Sequence, residues 1–122
     1  MSTSTVCSGS NILIFACSGA ADVGVLADKA ARELSQEGIG RMFCSAGLGG
    51  KVKPILKTTQ AAETIVALDG CPLDCVKNSL DRLSIANYRH VRATDLGLEK
   101  GSSEITPDNV STIKNKVKEI MS

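Results

Sequence analysis

The sequence predicts an α/β fold: one three-layer α/β/α domain around a mainly parallel sheet of about four strands. Three observations predict it. Short β-branched or apolar runs alternate with longer segments of helical period four times. The runs carry little polar alternation, as strands buried on both faces require. Each strand-plus-helix unit takes about 30 residues, the size of a crossover that returns the chain to a parallel neighbour.

The first ten residues, MSTSTVCSGS, are small and polar and read as a mobile tail, leaving residues 11–122 as the domain. NILIFAC reads as the first strand. In DVGVLADKAARELSQEG the apolar Val23, Leu26, Ala27, Ala30, Ala31 and Leu34 fall on one helical face, and Gly38 stops the helix. RMFC is a short second strand, followed by the glycine-rich SAGLGGK and a weaker helix over about residues 54–62. ETIVALDG is the third strand. It leads into CPLDCVKNSLDRL, where Leu73, Val76, Leu80 and Leu83 have helical spacing and Pro72 suits a first turn. YRHVRAT forms a fourth strand and residues 97–103 a loop. Thr106-Pro107 then caps a last helix with Val110, Ile113, Val117, Ile120 and Met121 on its apolar face and lysines towards water. A strand order of 2-1-3-4 would place the first and third strands side by side at the switch point.

Composition narrows the function. The chain has 122 residues, 14 basic against 13 acidic, a formal charge of +1, two Phe and one Tyr. That balance argues against nucleic acid or an anionic membrane as partner. The apolar run Ile12 to Cys17 is too short for a signal peptide or a membrane span, so a soluble cytoplasmic protein is expected. Five cysteines in a reducing compartment point to metal binding or redox work before a disulfide scaffold.

Cys17, Cys44 and Cys71 are spaced by 27 residues, and each comes at or just after a strand end. In an open parallel sheet those ends share one edge, where such folds bind ligands. Cys75 joins from the helix after Cys71; residues four apart on a helix share a face. Helix N-termini favour thiolate, the form that binds metal. Any one cysteine is ordinarily a small buried residue. Packing alone, however, does not bring four of five to one predicted edge. The candidate metal ligands are therefore Cys17, Cys44, Cys71 and Cys75. Zinc is favoured over an iron–sulfur centre, because four thiolates suit it without a redox poise. A closed site would be structural and an open one would admit water or a small thiol.

CSGAADVGVLADKAARELSQEG, MFCSAGLGG, ALDGCPLDC and the TDLG…KG stretch resemble the DGC-domain family, described as zinc-binding and named for the motif here at Asp69-Gly70-Cys71. The resemblance spans about residues 11–101 and implies Cys17, Cys44, Cys71 and Cys75 as the chelating set. Cys7 has no counterpart in it. A larger apolar residue is common after the second cysteine, where Ser45 stands here. The resemblance implies a site and no reaction.

Rival chemistries fail on single residues. A phosphatase-type loop beginning at Cys17 would need an Arg where Val23 or Gly24 stands. SAGLGGKV lacks the first Gly and the Ser or Thr after Lys of a phosphate-binding loop, and a dinucleotide fingerprint fails at Val52. The alternative is a thiol-based redox or sulfur-transfer enzyme using Cys71 and Cys75, although CPLDC spaces its thiols by three residues where thioredoxin-like motifs have two. His90 reads as a packing residue, Asp95 as a loop cap near the rim, and Asp22 as a first-turn carboxylate stabilising its helix. No mechanism attaches to Lys100-Gly101. A purely structural interaction domain is the third reading.

Overall fold

The computed structural model describes residues 11–122; the expected tail at residues 1–10, with Cys7, lies outside them. Four strands form one all-parallel sheet: β1 (Ile12–Ala16), β2 (Arg41–Met42), β3 (Thr64–Asp69) and β4 (Tyr88–Arg92), in spatial order 2-1-3-4 as expected. Between and after them run α1 (Asp22–Gln36), α2 (Ser45–Gly49), α3 (Lys53–Gln60), α4 (Cys75–Arg82), a 3₁₀ turn (Ala93–Leu96) and α5 (Pro107–Met121).

The period of two in the central strands feeds two cores. Ile14, Ala16, Val66 and Leu68 point to one face and pack under α1 and α5. Leu13, Phe15, Ile65 and Ala67 point to the other, against Leu48 of α2 and Val76 and Leu80 of α4. Both faces are covered, which is why these strands read as unbroken apolar runs. On the first face α1 supplies Val23, Leu26, Ala27, Ala30, Ala31 and Leu34, the stripe its spacing predicts.

Three elements differ from expectation. The glycine-rich SAGLGGK, to which the sequence assigns no element, winds into a short helix over Ser45–Gly49, and Lys51, at φ +54°, ends it before α3 starts at Lys53. The lysines of α5 do not all face water. Lys114 is 13% exposed on its side chain and bonds Glu33 at 2.9 Å, with Glu37 also in contact, while Lys118 reaches Glu37 at 2.8 Å. They clamp α5 to α1 because the helices pack side by side, leaving charged flanks facing each other across the seam. The third difference, the start of α4, shapes the site and follows below.

The cap on α5 is as expected, with Thr106 Oγ1 accepting from Asn109 N–H at 3.2 Å. Thr106→Ala should lower stability by about 1 kcal/mol; a shift of the urea midpoint at unchanged slope measures it.

A thiol-bearing carboxyl edge

All four strands are parallel, so their carboxyl ends share one edge of the sheet. Cys17 continues β1 by one ladder bond, its N–H donating to Leu68 C=O at 3.0 Å. Its half-buried side chain packs against both cores. Cys44 follows β2 as the N-cap of α2 and is exposed. Ser45 Oγ donates to Ala16 C=O at 2.6 Å, which ties the second cysteine loop to the end of the first strand. A serine after Cys44 is thus a polar strut between the backbones that carry Cys44 and Cys17. Cys71, half-buried, leaves β3 in a turn closed by Asp74 N–H to Cys71 C=O at 3.1 Å. Cys75 is exposed and opens α4.

The expected helix over CPLDC is corrected here: α4 begins at Cys75 and not at Cys71. Pro72 lies in the preceding turn, and Leu73, expected on the apolar stripe, is 65% exposed. Two causes are visible. Asp74 stands at φ +52°, a left-handed conformation that interrupts a right-handed helix. Asp69, buried to 2%, takes over as acceptor for the helix: its Oδ1 receives Val76 N–H at 2.8 Å and its Oδ2 receives Lys77 N–H at 3.1 Å. A carboxylate on the strand end thereby fixes where the helix starts. Cys71 and Cys75 do not share a helical face; the strand-end carboxylate between their backbones sets their relation.

The same carboxylate meets His90, whose Nε2 lies 2.9 Å from Asp69 Oδ2 and 3.6 Å from Asp74 Oδ1. His90 therefore belongs to a polar network and is more than a packing residue. Arg92 grips Asp74 through Nε at 2.8 Å and Nη2 at 2.6 Å and holds its carboxyl below the ordinary range. Arg92 also reaches Asp95 at 3.0 Å, so Asp95 serves the guanidinium at the rim. Asp69, Asp74 and His90 form the one group of possible ligand atoms mutually within 4.8 Å among the described residues. Its members are engaged in holding the CPLD turn, with Arg92 supplying the positive charge.

Gly70 is needed for close approach. A Cβ there would lie 2.8 Å from the Val23 carbonyl carbon and 2.9 Å from Gly24 N, backbone atoms of the first turn of α1. Gly70→Ala should destabilise the protein by roughly 2 kcal/mol and displace Cys71. Thermal unfolding, with alkylation rates of the thiols, tests both effects.

A second strap reaches the site from far along the chain. Asp22 accepts from Val23 N–H at 2.8 Å, as a first-turn carboxylate should. It also accepts Gly101 N–H on both oxygens and Ser103 N–H, all at 2.9 Å. These bonds, Gly101 first, keep its pKa below the usual value. Gly101 sits at φ +90°, which suits glycine. The strap sets Lys100 Nζ 3.5 Å from Cys71 Sγ. Lys100-Gly101 thus has a structural reading that spacing did not supply.

Cys17, Cys44 and Cys75 line one cavity of about 970 Å³, bounded also by Arg32, Met42 and Ser79. Cys71 is not on its wall, yet it and Cys17 both bear electrostatically on Cys75. Partial burial of the Cys75 thiol, then the Asp69 carboxylate and the neighbouring sulfurs of Cys17 and Cys71, push its pKa up, with Lys100 opposing. Cys17 and Cys75 are common to both groupings. No three of the four sulfurs lie mutually within 4.8 Å. Zinc needs sulfurs at about 2.3 Å from itself, so closing on one ion takes rotation of cysteine side chains about their single χ1. In type and number the donors fit a thiophilic ion.

A parallel α/β domain with four thiols at one sheet edge is the class that the fold and the site define. A DGC-domain model matches residues 13–117, and the chain belongs to the DGC-domain family. It is 38% identical over 92 residues to the "Anaerobic and virulence modulator AnvM" of Pseudomonas aeruginosa, covering 75% of this chain and 70% of that protein. No solved structure matches the chain. Among the described residues no helix is long and apolar enough to cross a membrane.

Proposed function

We propose that this chain is a metal-binding protein of the cytoplasm whose zinc is held by Cys17, Cys44, Cys71 and Cys75. The observation that carries the reading is the overlap at one rim. Cys17 and Cys75 share a cavity wall with Cys44, and they share an electrostatic neighbourhood with Cys71. Four thiolates so placed would repel one another, and a divalent cation would remove that penalty. Zinc is preferred to an iron–sulfur centre because it asks for thiolates alone, without redox tuning. Bound there, zinc would tie the loops after β1, β2 and β3 together and act as a Lewis acid towards anything in the cavity. The open cavity favours a site that admits water or a small thiol over a sealed structural one. Elemental analysis of untagged protein purified without chelator, with thiol counting, tests the proposal. About one zinc per chain supports it, and metal-free protein with freely titrating thiols ends it.

The second reading is a thiol-based redox or sulfur-transfer enzyme using Cys71 and Cys75. The Lys100 amine against Cys71 favours it, since a cation beside sulfur is a common arrangement at reactive cysteines. A modulator, as the Pseudomonas relative is named, fits either reading: a thiol site that changes state is a natural regulator.

A further inference from the structure

We propose that Cys71, paired with Lys100, is a covalent modification site for hydroperoxides and reacts ahead of the more exposed thiols. The inference rests on the thiol-chemistry reading and holds for the metal-free protein, independently of zinc. Exposure alone predicts the opposite order, because Cys44 and Cys75 are exposed whereas Cys71 is half-buried. What distinguishes Cys71 is a built contact. Lys100 Nζ lies 3.5 Å from its sulfur, carried on a strap whose next residue, Gly101, donates its N–H to both oxygens of Asp22. Ser103 N–H adds a third bond to the same carboxylate. An exposed lysine is normally free to swing, yet this one grows from a segment pinned to the N-terminus of α1, some 80 residues earlier in the chain. On the other side, Thr94 N–H holds the Gly70 carbonyl at 3.2 Å, fixing the backbone that bears Cys71.

The step is a two-partner displacement. The Cys71 sulfur attacks the terminal oxygen of the hydroperoxide; an S–O bond forms as the O–O bond breaks. The departing alkoxide takes a proton from water and the thiol gives its own to water, while the Lys100 ammonium faces the charge that passes from sulfur to the leaving oxygen. The products are the Cys71 sulfenic acid and an alcohol, or water when the oxidant is hydrogen peroxide. Sulfur loses an electron pair and the peroxide gains it. The Lys100 ammonium, held against the sulfur, stabilises the negative charge that an alkoxide carries as it leaves.

The test uses the full-length, chelator-treated protein with hydrogen peroxide and dimedone as sulfenic-acid trap, and mass spectrometry reads the rate at each cysteine. Cys71 is expected to be labelled first. Lys100→Met should slow it by roughly tenfold or more, Lys100→Arg, which keeps the positive charge, should restore most of the rate, and Cys44 should stay unchanged as internal reference. Asp22→Asn keeps the lysine but loosens the strap, and should slow Cys71 without touching Cys44. Labelling of Cys44 or Cys75 before Cys71, or a Cys71 rate indifferent to Lys100→Met, overturns the inference. Zinc content of the same variants, measured before chelation, separates failure of the metal reading from failure of this one.

Discussion

Asp69→Ala is expected to destabilise the protein by about 3 kcal/mol, the largest loss for any single side chain outside the apolar core. The carboxylate is 2% exposed and receives two backbone N–H groups of α4. Each N–H left without an acceptor costs about 1–3 kcal/mol. His90 loses its 2.9 Å partner at the same time. Asp69→Asn separates charge from shape: one oxygen remains to accept, but the amide nitrogen cannot serve the second N–H. An intermediate loss is expected. Chemical denaturation gives the numbers, and a cost under about 0.5 kcal/mol for Asp69→Ala, the level of an ordinary surface change, would mean that α4 does not depend on this acceptor. The pair beside it adds an acid limb. Arg92 holds the Asp74 pKa below its unfolded value, near 3.9, so its contribution is present above that pH. It is lost as pH falls further, through the depressed folded value.

Cys75→Ser is expected to abolish stoichiometric zinc, or to weaken it by roughly 10²-fold or more. The same loss is expected at Cys17, Cys44 and Cys71. Cys75 carries an additional signature, because its thiol is pushed above its ordinary value by burial and by Asp69, Cys17 and Cys71. Binding must therefore expel its proton. Zinc affinity should rise with pH across the neutral range, by about tenfold per pH unit for each proton released. The serine variant should show a shallower slope. Competition with a chromophoric chelator at several pH values reads both the affinity and the proton count. Four serine variants that all keep about one zinc per chain would refute the proposed ligand set.

Gly70 shows why the DGC motif acts as a unit. Asp69 anchors the start of α4, Gly70 lets the first turn of α1 come within contact, and Cys71 presents its sulfur to Lys100. Each residue serves a different element, so the three together fix the turn that carries the thiols.

Much of this was legible in the chain. Strand-and-helix alternation and the stripe on α1 follow from local periodicity, because each strand buries both faces and each helix buries one. The order 2-1-3-4 does not; it rests on where a switch point would fall, and the sheet has that order. The cysteines' place at the carboxyl edge follows too, since a parallel sheet sends every strand end to one side. The start of α4 was not legible. Leu73 keeps helical spacing with Val76 and Leu80, and only the buried Asp69 carboxylate and the left-handed Asp74 show that the helix begins after it. His90 and Arg92 were equally hidden, because their partners lie on a neighbouring strand and on the turn beyond it. So was Lys100, brought to Cys71 by bonds between Asp22 and residues 79 and 81 positions away. Propensity and period act over a turn or two of chain and decide which segments become strands or helices and which faces are buried. A hydrogen bond between distant carboxylate and amide has no sequence period, so where each thiol stands and what stands beside it belong to the tertiary structure.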